Sequence, residues 1–141
     1  MKIKKLRPEF VQYVPDRLSE GVLYISEEFS TAGHLCCCGC GEEIFTPLNQ
    51  AQWRLTKNEF LGTVSLYPSV GNWKYPCRSH YWIENNKVKD AGPMSERVIR
   101  NVIQRDRRDK DKYIKKHNQQ LRDQDDDSGY LIRLLRWFLG K

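Results

Sequence analysis

The sequence lacks a run of eighteen or more apolar residues, about the length that a transmembrane helix requires. It also lacks a signal peptide, because the first residues, Met-Lys-Ile-Lys-Lys-Leu-Arg-Pro, are basic but carry no apolar stretch and no small-residue cleavage site. These absences predict a cytoplasmic protein without a transmembrane segment. Since cytosolic thiols stay reduced, the five cysteines favour metal binding over disulfide bonds.

The length and composition indicate one modest folded domain. Of the 141 residues, 39% are hydrophobic and 30% are charged, so a core can form but stays small. A bound metal would stabilise such a domain, because ligands that are fixed on folding contribute their binding free energy. The formal net charge of +6 permits nucleic acid, an acidic protein or a membrane surface as a partner, and selects none of them.

Cysteine and histidine are concentrated in two short stretches. The first, from His34 to Gly41, reads His-Leu-Cys-Cys-Cys-Gly-Cys-Gly, and the second, from Pro76 to Trp82, reads Pro-Cys-Arg-Ser-His-Tyr-Trp. All five cysteines and two of the three histidines lie there. Thiolate and imidazole are the ligands that Zn²⁺ prefers. The pattern predicts one zinc site that joins two distant segments, with ligands drawn from Cys36, Cys38, Cys40, Cys77 and His80.

Several ligand sets remain open, because these thiols and imidazoles outnumber the four positions of a tetrahedral site. The most economical set combines Cys38, Cys40, Cys77 and His80. Cys36 can replace one of the first pair, and His34 is spaced to lie beside the site as a ligand or a hydrogen-bond donor. An iron–sulfur cluster would also take four cysteines, but the crowding of residues 36–38 is poor geometry for a cluster and favours zinc.

Two kinds of catalysis are compatible with these residues. A catalytic zinc needs a general base, and Glu42 directly follows the cysteine turn, although an ordinary carboxylate at a strand end fits equally well. A serine nucleophile would be Ser65, Ser69 or Ser79, paired with His34 or His80, but the spacing shows no such pair. Nucleobase deamination is set aside, because no His-x-Glu precedes the Pro-Cys-x-x-His stretch.

The first two thirds of the chain indicate a β-rich unit. Strands are predicted at residues 21–26, 42–46, 52–56 and 62–67, and a hairpin with an Asn85-Asn86 turn is predicted across residues 80–89. Residues 1–20 are expected to be irregular or an edge, residues 27–33 a loop, and residues 68–73 a loop rich in turn-forming residues.

After Gly92-Pro93 the sequence pattern changes from β-rich to helical. Ser95 is a suitable N-cap for a long charged helix that reaches about residue 124. A break at residues 125–129 and a short amphipathic helix at residues 130–139 are predicted to follow, the latter packing on this chain or on a second copy. The fold class is therefore α+β, with a metal-binding domain at residues 1–92 and a helical extension at residues 93–141. Acidic residues alternate with the basic ones along the helix, which weakens the positive field that nucleic-acid binding requires and argues against that role.

The motifs of the β-rich part resemble those of a family of small bacterial proteins. The similar segments are His-Leu-Cys-x-Cys-Gly-Cys-Gly-Glu, Thr-Pro-Leu at 46–48, Trp53, Gly-Thr-Val-Ser-Leu at 62–66, Pro-Ser-Val-Gly-Asn-Trp at 68–73 and Pro-Cys-Arg-Ser-His-Tyr-Trp-Ile at 76–83. The family is catalogued mainly as a domain of unknown function. Its members occur beside genes for bacterial ubiquitin-like proteins and their conjugation enzymes, where they have been suggested to be peptidases.

The resemblance implies which residues are functional. It points to Cys36, Cys38, Cys40, Cys77 and His80, with His34, Glu42, Ser69 and Ser79 as further candidates, whereas Cys37 stands where the family usually has proline. The first hypothesis is a zinc-containing peptidase that processes or deconjugates a ubiquitin-like protein, with Glu42 or His34 handling the proton. The second is a non-enzymatic adaptor in which zinc only joins the two loops. A third, weaker hypothesis is nucleic-acid binding through the helix.

Overall fold

The computed structural model describes residues 1–49 and 51–139, and for residues 124–139 it describes the backbone alone. Eight strands precede one helix. The elements are β1 (Arg7–Phe10), β2 (Val22–Ser26), β3 (Thr31–Leu35), β4 (Glu43–Pro47), β5 (Arg54–Asn58), β6 (Thr63–Gly71), β7 (His80–Glu84), β8 (Lys87–Asp90) and α1 (Glu96–Leu139).

The strands form two four-stranded sheets in chain order, β1-β2-β3-β4 and β5-β6-β7-β8. All neighbours are antiparallel except β1 and β2, which are parallel. The pairing of β6 with β7 is irregular between Leu66 and Val70, so the register of the second half of β6 is shifted against β7. This irregularity lies beside Ser69 and thus shapes the candidate site.

Side chains from both sheets form one core. β2 and β3 contribute Leu23, Ile25 and Ala32, while the second sheet contributes Leu66, Tyr81 and Ile83, all of them fully buried or nearly so. Along β7, successive side chains point to opposite faces, so the core side takes Tyr81 and Ile83 and the outer side takes His80 and Trp82. The outer face of the second sheet therefore carries the histidine of the second motif.

The predicted β-rich organisation and the α+β class are confirmed, with several differences in detail. The Asn85-Asn86 hairpin turn is present, and both residues have the positive φ angles that such a turn requires. Strand β3 occupies part of the segment that was expected to be a loop, because Thr31–Leu35 pairs with strands on both sides. Likewise β6 continues through Pro68 to Gly71, since its partner β7 supplies hydrogen bonds that local turn preferences do not reveal.

The helical part differs from the prediction in one respect. Ser95 caps the helix as expected, with the Val98 N–H donating to its Oγ at 3.4 Å. However, the backbone of α1 is continuous from Glu96 to Leu139, so the predicted break at residues 125–129 and the separate short helix were wrong. Within the described residues, no helix has the length and apolar character needed to cross a membrane.

The chain divides into two compact units, Met1–Ile103 and Gln104–Lys141. The first contains both sheets and the start of the helix, and the second continues the helix. The domain boundary after residue 92 stays a prediction.

Candidate active site and metal centre

Four cysteine thiols converge where the β3–β4 turn meets the segment that leads into β7. The Sγ atoms of Cys36, Cys38, Cys40 and Cys77 all lie within 4.8 Å of one another, a spacing that can hold a metal ion. The Sγ of Cys36 lies 3.4 Å from that of Cys38 and 4.0 Å from that of Cys77. The group joins segments about forty residues apart in the sequence, as the sequence predicted.

The backbone of the cysteine turn folds tightly around this group. The Gly39 N–H donates to the Cys36 carbonyl at 3.0 Å, and the Cys36 N–H donates to the Glu42 carbonyl at 2.8 Å. Gly39 and Gly41 have φ angles of 89° and 86°, a region that residues with a Cβ rarely adopt. The alternation of cysteine and glycine is therefore what lets three thiols point to one place.

The surroundings of the thiols shift their pKa values in both directions. Burial raises the pKa of Cys38 to about 12 and also raises the pKa of Cys40. For Cys77, burial also acts to raise the pKa, but hydrogen bonds from the backbone and hydroxyl of Ser79 and from the Cys40 and Cys38 thiols together outweigh it and lower the pKa to about 7. Metal binding therefore has to displace the protons of Cys38 and Cys40.

A second layer of polar side chains surrounds Cys36. The side-chain N–H of Asn72 donates to the Cys36 Sγ at 3.3 Å and to the Ser79 Oγ at 2.8 Å. The Ser79 Oγ also lies 3.1 Å from the Cys36 Sγ. Such outer contacts orient metal ligands and tune their affinity. Ser79, one of the predicted catalytic residues, is thus in contact with the thiol group.

A serine–histidine pair lies next to this layer. The Ser69 Oγ is 2.9 Å from the Nε2 of His80, and the His80 Nδ1 is 3.2 Å from the Gly92 carbonyl oxygen. A carbonyl oxygen can only accept, so the Nδ1 carries the proton and donates to Gly92. The Nε2 then has a free lone pair that accepts the Ser69 hydroxyl, which is the arrangement of a general base and its nucleophile.

The imidazole of His80 is held in place by its surroundings. The Trp73 ring lies against it, with the ring centroids 5.0 Å apart, and only 8% of His80 is exposed. Gly71 makes this possible, because a Cβ at Gly71 would lie 2.5 Å from the Trp73 ring. Gly71 is also the register partner of His80. The glycine, the tryptophan and the histidine therefore form one packed unit.

The remaining predicted site residues lie in different environments. His80 is not a member of the four-thiol group, since its two nitrogens face Ser69 and Gly92. Glu42 contributes backbone atoms to the cysteine turn. Cys37 is fully buried and lies outside the four-thiol group. The sequence placed Ser69 and Asn72 in a turn-rich loop, and nothing local pointed to the Gly92 carbonyl.

His34 is buried in the core between the sheets. Its side chain is fully inaccessible, its Nε2 is 2.9 Å from the Tyr81 hydroxyl, and its Nδ1 has no partner among the described residues. Burial lowers the pKa of His34 from 6.5 to about 4. The imidazole is therefore neutral in the folded protein near neutral pH.

The buried His34 predicts a contribution to acid sensitivity. An unfolded chain protonates this histidine below about pH 6.5, while the folded chain does not until about pH 4, so stability falls as the pH drops through that window. By pH 5 the loss from this residue is about 2 kcal/mol. Urea unfolding at pH 7 and pH 5 should show a smaller loss for His34→Gln than for wild type. Tyr81→Phe, which keeps the buried imidazole, should retain the loss; equal losses in wild type and His34→Gln would contradict the assignment.

Comparison with known proteins yields one family. The model of a family described as "Bacterial ubiquitination-like system serine protease (BubE)" matches residues 10–91, which is more than half of the chain. The matched range includes the four cysteines of the thiol group together with Ser69, Ser79 and His80. No curated protein and no solved structure matches the chain.

Proposed function

Because the chain belongs to the family of bacterial ubiquitination-like system serine proteases (BubE), we propose that it is a peptidase whose nucleophile is Ser69 and whose general base is His80. The observation that carries the proposal is the 2.9 Å contact between the Ser69 Oγ and the His80 Nε2. The Gly92 carbonyl supports it, because that oxygen selects the tautomer in which the Nε2 can accept a proton.

The mechanism follows from these contacts. The Ser69 Oγ attacks the carbonyl carbon of the substrate while its proton passes to the His80 Nε2. The Gly92 carbonyl accepts the Nδ1–H throughout and stabilises the imidazolium that forms. His80 then gives the proton to the leaving amine, which leaves an ester on Ser69. His80 next takes a proton from water, whose oxygen attacks the ester and releases the acid, and Ser69 regains its hydrogen.

The four thiols take a structural role in this proposal. Cys36, Cys38, Cys40 and Cys77 would hold Zn²⁺ as a closed tetrahedral set, which has no position for a substrate or a water. Zinc would then supply cross-linking and no catalysis. Such a cross-link would act on His80 through the chain, because Cys77 lies three residues and Ser79 one residue before it. This structural role replaces the catalytic zinc, with Glu42 or His34 as base, that the sequence suggested.

The substrate we propose is a bacterial ubiquitin-like protein, as a precursor or as a conjugate. In both, the C-terminal carbonyl group of the modifier forms an amide bond. A serine peptidase can cleave either bond by the same acyl transfer. The family description supports this partner. The adaptor alternative would account for a closed thiol site, but it leaves the oriented Ser69–His80 pair without a role.

A fluorophosphonate probe tests the proposal directly. The probe forms a phosphorus–oxygen bond with an activated serine and releases fluoride, so the expected result is one adduct on Ser69 of the zinc-loaded full chain, read by peptide mass spectrometry. Incubation with the precursor and a conjugate of the ubiquitin-like protein should give cleavage at one bond. A zinc-loaded protein that is neither labelled nor able to cleave would contradict the peptidase assignment and favour the adaptor.

A further inference from the structure

Two aromatic side chains lie on the outer face of the second sheet, on the strands that carry Ser69 and His80. Trp82 follows His80 by two residues along β7, so both point away from the core. Tyr67 precedes Ser69 by two residues on β6 and is 58% exposed. The Tyr67 and Trp82 rings are stacked, with centroids 6.2 Å apart and planes inclined by 29°. An apolar surface is thus exposed next to the serine–histidine pair.

One end of this aromatic pair carries a positive charge. Arg54 on β5 is the register partner of Tyr67, and its guanidinium carbon lies 5.4 Å from the centre of the Tyr67 ring. Stacking on an aromatic ring orients a guanidinium while leaving its N–H groups available.

A basic residue lies at each end of the aromatic pair, but only one of the two has an acidic side chain as a partner. Among the side chains that the structure describes, no carboxylate forms an ion pair with Arg54. Lys89, the register partner of Trp82 at the other end, is paired with Glu84. The guanidinium of Arg54 is therefore the charge that is available to an acidic group.

The spacing relates this surface to a bound substrate. Two residues of a regular strand span about 7 Å, so Trp82 lies about that distance from His80 along β7. Arg54 lies one strand further, about 5 Å beyond Tyr67. An extended peptide whose carbonyl is at Ser69 would cross the rings and reach Arg54 within about four residues.

We propose that Arg54, Tyr67 and Trp82 form a substrate-recognition surface for an extended peptide that carries an acidic side chain within about four residues of the cleaved bond. The peptide backbone and aliphatic groups would lie on the rings, and the carboxylate would pair with the guanidinium. The inference rests on the proposed peptidase activity and adds the chemical class of its substrate.

A peptide library tests the inference. Zinc-loaded full chain is incubated with an equimolar synthetic library, and mass spectrometry identifies the cleaved bonds. Matched fluorogenic peptides then carry Asp, Asn or Lys at each of the four positions on either side of the preferred bond. We expect kcat/KM for Asp at one position to exceed that for Asn about fivefold, which is the factor for an ion pair of about 1 kcal/mol.

Variants assign that preference to Arg54. Arg54→Gln should remove the preference for Asp over Asn, and Arg54→Glu should turn it toward Lys. Arg17→Gln, which removes an exposed arginine outside both sheets, is the matched control and should keep the preference. Trp82→Ala should raise KM for the Asp and the Asn peptide alike, because both use the rings.

The outcomes separate this inference from the proposed function. Labelling of Ser69 by fluorophosphonate with no preference for Asp, or with a preference that Arg54→Gln leaves intact, overturns the inference alone. Labelling without cleavage of any acidic peptide in the library also overturns it. Absence of both labelling and cleavage overturns the peptidase assignment, and the inference falls with it.

Discussion

Replacement of Ser69 by alanine is expected to lower kcat for cleavage of the ubiquitin-like precursor by at least about 10³-fold. The alanine removes the oxygen that attacks the amide carbonyl in the proposed mechanism, while the strand and its partner β7 stay in place. Binding of the substrate should change little, so the loss should appear in kcat rather than in KM. Single-turnover cleavage followed by mass spectrometry measures this effect.

The control and the companion variants make that result specific. Ser65→Ala removes another hydroxyl from β6 and should keep most activity, because Ser65 contacts the Asn85 backbone rather than His80. His80→Gln should lose nearly as much activity as Ser69→Ala, and the double variant should lose little more, since a nucleophile and its base act as one unit. Cleavage by Ser69→Ala at more than a tenth of the wild-type rate would contradict the proposed nucleophile.

Removal of the metal is expected to unfold the unit Met1–Ile103 or to lower its melting temperature far below that of the zinc-loaded protein. Structural zinc contributes about 10 kcal/mol or more of binding free energy at neutral pH, which is comparable with the whole stability of a small domain. Thermal unfolding before and after treatment with a chelator measures the effect, and restoring zinc should restore the original curve. Affinity should fall as the pH falls, because burial raises the pKa of Cys38 to about 12 and protons compete with the ion.

The thiol and histidine variants then separate structure from catalysis. Cys77→Ser should lose the bound ion, whereas Cys37→Ala should keep one ion per chain, because Cys37 lies outside the four-thiol group. His80→Gln should also keep one ion while losing activity. A His80→Gln protein that is stable but lacks metal would show that His80 is a ligand and would contradict its assignment as the base. Retention of the fold in a metal-free protein would contradict the structural role of the thiols.

The four-thiol group was the part of the site that the sequence predicted best. Three of its thiols lie on one turn at residues 36, 38 and 40, where local spacing and the intervening glycines bring them together. The fourth, Cys77, could be associated with them by residue type, because a zinc site needs four soft ligands. The same reasoning included His80 among the ligands, since the sequence cannot distinguish an imidazole three residues after Cys77 from one that binds zinc.

The serine–histidine pair could not be predicted in the same way. Ser69 and His80 are eleven residues apart, and they meet because the irregularity between Leu66 and Val70 sets the register of β6 against β7. A shift of one residue would move either side chain to the opposite face of the sheet. The sequence predicted a turn-rich loop around Ser69 and contained no local signal for its partner.

By itself, the sequence determined the β-rich body, the Asn85-Asn86 turn, the helix N-cap at Ser95 and the two cysteine stretches from which a metal site could draw its ligands. These features depend on residue type and on neighbours within a few positions, where backbone preferences and ligand chemistry act directly. Only the tertiary structure decided which group His80 faces, and that Arg54, Tyr67 and Trp82 lie in one row beside it. Such contacts join separate strands, so they depend on strand register and on the packing of the whole sheet.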